Sequence, residues 1–109
     1  MSDLQSKVAV PIYSDLAQGD PDFAEIVEQF VDGLTQRLDA MQDALQANDM
    51  DCLRRLAHQL KGSGGGHGYP TLSQNASALE QQVLEGATGE ITQGLDELAS
   101  LVARIKVLP

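Results

Sequence analysis

Apolar side chains recur at alternating spacings of four and three along nearly the whole chain, a period that suits a packed α-helix and does not suit a strand. Phe23, Val27, Phe30, Leu34, Leu38, Met41 and Leu45 form the first and longest seam. A second follows at Leu53, Leu56 with Ala57, Leu60 and Gly64, and a third at Leu72, Ala76, Leu79 and Val83. Ile91, Leu95, Leu98, Val102 and Ile105 make the fourth. No segment alternates with a period of two, so no strand is expected.

Local chemistry sets the breaks between seams. Asp20-Pro21 reads as a helix start, because Asp caps free backbone N–H groups and Pro is pre-organised for the first helical position. One long helix is therefore predicted over 21–47. Asn48 and Asp49 punctuate the chain, and the second helix then runs into Gly62-Ser63-Gly64-Gly65-Gly66. The third covers 70–85, with Gly86 placed for a left-handed C-cap. Thr88 caps the fourth, which is expected to reach the end of the chain at Pro109. Val8, Val10, Ile12 and Leu16 predict a short helix or extended segment over one end of the core. The pairs Asp20 with Asp22 and Asp49 with Asp51 fall at helix starts, where carboxylates complement the dipole, and read as caps rather than metal ligands.

Four seams joined by connections of a few residues predict an all-α fold. Short links make sequential helices neighbours, which gives an antiparallel up-down-up-down four-helix bundle with a short N-terminal capping helix. At 109 residues the chain suits one domain, 1–109, divided into an N-terminal segment with its short helix (1–19) and the bundle (20–109). With two Phe, two Tyr and no Trp, aliphatic side chains must fill the core, as packed helices allow.

Sixteen Asp and Glu against seven Lys and Arg give a formal charge of −9, which repels nucleic-acid phosphates and anionic lipid. Neither nucleic acid nor a membrane is an expected partner. No apolar run approaches the ~18 residues of a membrane span, and the opening segment lacks the pattern of a secretion signal, so a cytoplasmic location is expected. The lone Cys52 has no second thiol for a disulfide or a metal pair and reads as a small packed side chain.

The second helix carries the residue that stands out. At about 100° per residue, His58 lies about 160° from Leu60 and about 140° from Leu53, so it points away from the core that they define. Within about 60° of it fall Asp51, Arg54, Arg55, Lys61, Gly62 and Gly65. Three of the seven basic residues thus surround one imidazole, and no Asp or Glu occurs from Cys52 to Leu79. Positive charge holds anions and favours the neutral, nucleophilic imidazole, two effects that phosphoryl chemistry uses. Spacing alone favours a solvated basic face bearing an incidental His.

Glycine costs about 1 kcal/mol relative to Ala inside a helix, so Gly62 and Gly65 beside an exposed His suggest an approach kept open for another protein's active site. Composition alone would make the glycine run a loop. It is not a P-loop, for it lacks the G-x-x-x-x-G-K-[ST] order. His67 lies nine residues from His58, about 180° round the helix, so the two cannot share a metal. It is expected to pack at a boundary, and no metal site is predicted.

The run His58-Gln59-Leu60-Lys61-Gly62-Ser63, with Gly68 ten positions after the His, resembles the histidine-containing phosphotransfer (HPt) domain family. The likeness extends upstream through Leu53-Arg54-Arg55-Leu56-Ala57 and downstream to Leu79-Glu80, and the helical layout matches from about Ile12 to the end. Gly64-Gly65-Gly66 is richer in glycine than the family pattern, and His67 stands where an aromatic or aliphatic residue is more common. The resemblance implies a four-helix bundle with a short N-terminal helix. It also implies one exposed His that takes a phosphoryl group from the aspartyl phosphate of a receiver domain and hands it to another.

By this resemblance His58 is the phosphorylated residue. Lys61 matches the lysine that helps hold the phosphoryl oxygens, and Gly62 matches the small residue that keeps the approach open. Arg54 and Arg55 join them from the helical wheel, with Ser63 and Gly65 as further supporting positions, and the second helix is extended to about 67. The chain is then a monomeric carrier without kinase activity. Receiver domains of response regulators or hybrid kinases are its partners, it binds no cofactor, and Mg²⁺ is held by the receiver. Competing readings are a helical docking module that accepts no phosphate and a direct target of an ATP-dependent kinase, as in chemotaxis-type kinases. A small-molecule or metal enzyme is disfavoured by seams with no inward Glu or His.

Overall fold

Two of the long helices begin or end on caps that the sequence supplies, at Asp49 and Gly86. The computed structural model describes residues 10–86 and 88–109. The expectation for residues 1–9, Val8 among them, falls outside the described residues. Among the described residues six α-helices follow in order: α1 (Asp15–Gly19), α2 (Ala24–Asp32), α3 (Leu34–Gln46), α4 (Met50–Gly66), α5 (Pro70–Glu85) and α6 (Thr88–Val102), with a 3₁₀ turn at Pro21–Phe23. Among the described residues no strand forms, and the fold is all-α. Asp20 Oδ1 accepts from Asp22 N at 3.0 Å, and Asp49 Oδ1 accepts from Cys52 N at 3.1 Å, so both serve as caps. Gly86, at φ 74°, ends α5 by donating its N–H to the carbonyls of Gln82 and Val83.

Three expectations need correction. The helix predicted over 21–47 is a 3₁₀ turn followed by α2 and α3, separated at Gly33. There the backbone N–H bonds to Phe30 O at 3.2 Å, a three-residue step that interrupts the four-residue ladder where helix propensity is lowest. Phe23 is 39% exposed rather than a seam residue, because a 3₁₀ turn advances about 120° per residue and carries it off the helical face. The last helix stops at Val102. Arg104 N and Ile105 N bond back to Leu101 O and Val102 O, and Ile105 is buried by a parallel bridge with Ile12 instead of by a helical turn.

The long helices close on one another: α3 packs on α4, α4 on α5, α5 on α6, and α6 returns to α3. Leu34, Met41, Leu53, Ala57, Leu60, Leu72, Ala76, Leu79, Ile91, Leu95 and Leu98 fill the space between them, each nearly or fully buried. Two glycines permit close approach along α5. A Cβ on Gly64 would lie 3.2 Å from Leu72 Cδ2, and one on Gly94 would strike the Gln82 amide, whose Oε1 is buried without a partner. Among the described residues no helix is long and apolar enough to cross a membrane.

One end is clasped by the segments 12–15 and 104–107. Ile12 N bonds to Arg104 O at 2.9 Å, and Lys106 N bonds to Ile12 O at 2.8 Å. The buried Ser14 caps α1 by accepting from Ala17 N at 3.1 Å and donates its hydroxyl to His67 O at 2.6 Å. Asp15 N bonds to Gly68 O at 2.8 Å, so α1 is latched to the turn after α4. Tyr69 donates to Lys106 O at 2.6 Å, and burial pushes its hydroxyl pKa up to about 12, which keeps it a donor.

Candidate functional site

The core side of α4 determines what its other side displays. Leu53, Ala57, Leu60 and Gly64 are buried, so the helix turns His58 to solvent with its side chain 66% exposed. The glycine run does not unwind it. Helix α4 continues to Gly66 and closes at His67, within a residue of the extended prediction.

The imidazole has one described partner, and sequence reading missed it. His58 Nδ1 lies 3.0 Å from Oε2 of Glu80, whose side chain is only 16% exposed. A carboxylate accepts and does not donate, so Nδ1 carries the proton and the Nε2 lone pair is left free. The surroundings of His58 are therefore not purely cationic, as expected from the acid-free stretch. Glu80 is the first acid beyond that stretch, and the hairpin folds it back. Gly65 lies against Ser73 while His58 lies against Glu80, so seven residues back along α4 correspond to seven forward along α5. These two helices are antiparallel, and Ser73 Oγ, donating to Lys61 O at 2.8 Å one turn back along α4, ties them together. Counting eleven residues each way from Tyr69 reaches His58 and Glu80.

The other predicted site residues separate into two groups. Arg54, Arg55, Lys61, Gly62 and Gly65 share the His58 face of α4, with Arg54 half-buried and the rest exposed. A Cβ on Gly62 would meet nothing within 4 Å, whereas one on Gly65 would rest 3.5 Å from Ser73 Oγ. Ser63 is not brought to the site. It lies about 140° round the helix from His58, half-buried, and its carbonyl accepts from His67 Nδ1 at 2.6 Å. His67 itself packs at a boundary, its ring stacked on Phe30 with centroids 4.3 Å apart and planes 4° from parallel. Cys52 is half-buried against the core. Among the described residues no group of three or more His, Cys, Asp or Glu gathers as a metal site would require.

Chemically, the arrangement is an oriented imidazole on an exposed helix face, hydrogen-bonded at Nδ1 by Glu80. The sequence model of the Hpt domain family matches residues 25–107, and the chain belongs to that family. Membership implies a histidine phosphotransfer role in a phosphorelay, with receiver domains as the kind of partner and phosphoryl carriage in place of intrinsic catalysis. No match was found to a curated protein or to a solved structure.

Proposed function

We propose that this chain is a histidine phosphotransfer protein of a multistep two-component phosphorelay, carrying a phosphoryl group on His58 between aspartyl phosphates of receiver domains. The observation that carries the reading is the exposed imidazole with its Nδ1 engaged by Glu80 at 3.0 Å and Nε2 left open. In transfer the Nε2 lone pair forms a P–N bond as the P–O bond to the receiver's aspartate breaks, and the carboxylate leaves with the electron pair. The Nδ1 proton stays on the ring, held by Glu80, so no base is needed. The onward step is the reverse, with imidazole as the leaving group. Lys61 stabilises the phosphoryl oxygens, and Gly62 keeps the path clear. Gly65 keeps that face low, and Ser63 supports the end of α4.

The same reading takes residues 1–109 as one Hpt unit whose long helices form an antiparallel up-down-up-down bundle. It acts as a monomer in the cytoplasm, with no nucleic-acid or membrane partner. It binds no cofactor and has no kinase activity, and Mg²⁺ is held by the receiver. The direct test incubates the chain with a panel of receiver domains phosphorylated by labelled acetyl phosphate. Label should move to this chain, and its absence with every receiver would reject the proposal.

Two variants probe the site. Glu80→Gln should slow transfer by about tenfold, the ~1.4 kcal/mol of one hydrogen bond to a charged group, and should lower the fraction of Nδ1–H tautomer seen by ¹⁵N NMR. A parent rate with an unchanged tautomer would reduce Glu80 to a packing residue. Gly62→Ala should keep or raise the melting temperature, since the position is helical and open. Gly62→Gln should retain its helical circular dichroism yet lose receiver binding and transfer together. Full-speed transfer by that variant would remove the glycine from the docking surface.

A further inference from the structure

We infer that Arg54 and Arg55 form an electrostatic collar beside His58 that selects receiver domains with an acidic rim around their phosphorylated aspartate; the inference rests on the carrier reading above. The two guanidinium groups stand apart from the rest of the protein's charge. Asp51 precedes them by three and four residues, the spacing at which helical ion pairs form, yet it pairs with neither. Among the described residues the one ion pair is His58 with Glu80, so that carboxylate is directed to the imidazole and not to either arginine. A chain with sixteen acids and a charge of −9 thus leaves both arginines of this face without a carboxylate partner.

Their placement separates their task from that of Lys61. Arg54 and Arg55 lie one turn before His58, about 40° to one side and about 60° to the other, so they flank the imidazole on the helix surface. Arg54 is half-buried and Arg55 is exposed. A body delivering a phosphoryl group to His58 comes to a helix face that also carries this pair. Such a body is anionic at the point of contact, because it bears the phosphoryl group and the oxygen ligands that hold Mg²⁺. Elsewhere the surface has the opposite sign: α2 exposes Glu25, Glu28 and Asp32 and contains no basic residue. An acidic rim is therefore drawn to the His58 face and repelled by the acidic remainder of the surface, which orients the encounter as well as accelerating it.

Steering of this kind changes how often productive complexes form more than how fast the bound phosphoryl group moves. Transfer is measured from a receiver that labels the parent chain, loaded with acetyl phosphate, at 50 and 500 mM NaCl. Arg54→Glu and Arg55→Glu should each raise KM for the receiver by about tenfold at low salt, with kcat at saturation within about twofold. Their salt dependence should be flatter than the parent's. Lys106→Glu makes the same change in net charge at the clasped end, outside the site, and should leave KM near the parent value. Replacing one acidic rim residue of the receiver with Lys should restore KM for Arg55→Glu. Equal KM for Arg55→Glu and Lys106→Glu, or a loss confined to kcat, would overturn the collar while leaving His58 as the carrier. A parent chain that takes no label from any receiver would overturn both.

Discussion

His58→Gln is expected to fold as the parent does and to accept no phosphoryl group from any receiver. The imidazole is 66% exposed and touches one described partner, Glu80, so its loss removes little packing. Exposed positions of this kind change stability within about 0.5 kcal/mol. A glutamine amide can still hydrogen-bond to the Glu80 carboxylate, but it lacks the nucleophilic nitrogen lone pair that forms the P–N bond. In the parent, the label should be acid-labile and base-stable, as a phosphoramidate is. Circular dichroism and melting measured on the labelled samples separate lost chemistry from lost structure. Undiminished labelling of the variant, with phosphate on His67 or a serine, would sink the assignment.

The second large effect is structural and lies at Gly68. Its φ of 89° is a conformation that L side chains adopt at a cost of about 1–2 kcal/mol. A Cβ there would also meet Leu16 N, Ser14 Oγ and Asp15 N at distances that real Cβ atoms do not tolerate. Gly68→Ala must therefore pay for strain and push α1 off its latch, together about 3 kcal/mol or more. The melting temperature should fall by about 10–15 °C. Gly86 provides an internal control, since its φ is 74° but a Cβ would meet nothing within 4 Å. Gly86→Ala should lower melting by only about 5 °C, the share due to backbone strain. Equal losses in the two variants would mean that α1 does not depend on the close approach at Gly68.

The comparison between these glycines also marks how far sequence can be read. Apolar spacing located the helices because burial is enforced every three or four residues, and Pro70 and Gly86 bound the third one at 70–85, as observed. The exposure of His58 was legible for the converse reason, since Leu53 and Leu60 occupy the core side of its helix. The break at Gly33 was not, because Phe30 and Leu34 keep the seam continuous across it. Ile105 misled in a similar way: it satisfies the helical period and is buried, but against Ile12 in a bridge that no local pattern announces. Glu80 was visible as a residue and hidden as a partner. Its role depends on the alignment of two helices across a turn, which is a property of neither helix alone.

That alignment makes α5 a keyed part. The notch at Gly64 receives Leu72 on one side, and the notch at Gly94 receives Gln82 on the other. Sliding α5 by one turn, about 5.4 Å, would keep every apolar residue roughly on its face yet misfit both notches and withdraw the carboxylate from His58. Helical content would hardly change. Chemical competence therefore reports the fine fit of the interior and not just the presence of helices. Conditions that loosen side-chain packing while sparing secondary structure, as in a molten globule, should silence the imidazole before far-ultraviolet dichroism registers any loss. In this chain the dry interior and the wet nucleophile share one fault line, and selection acting on either constrains the other.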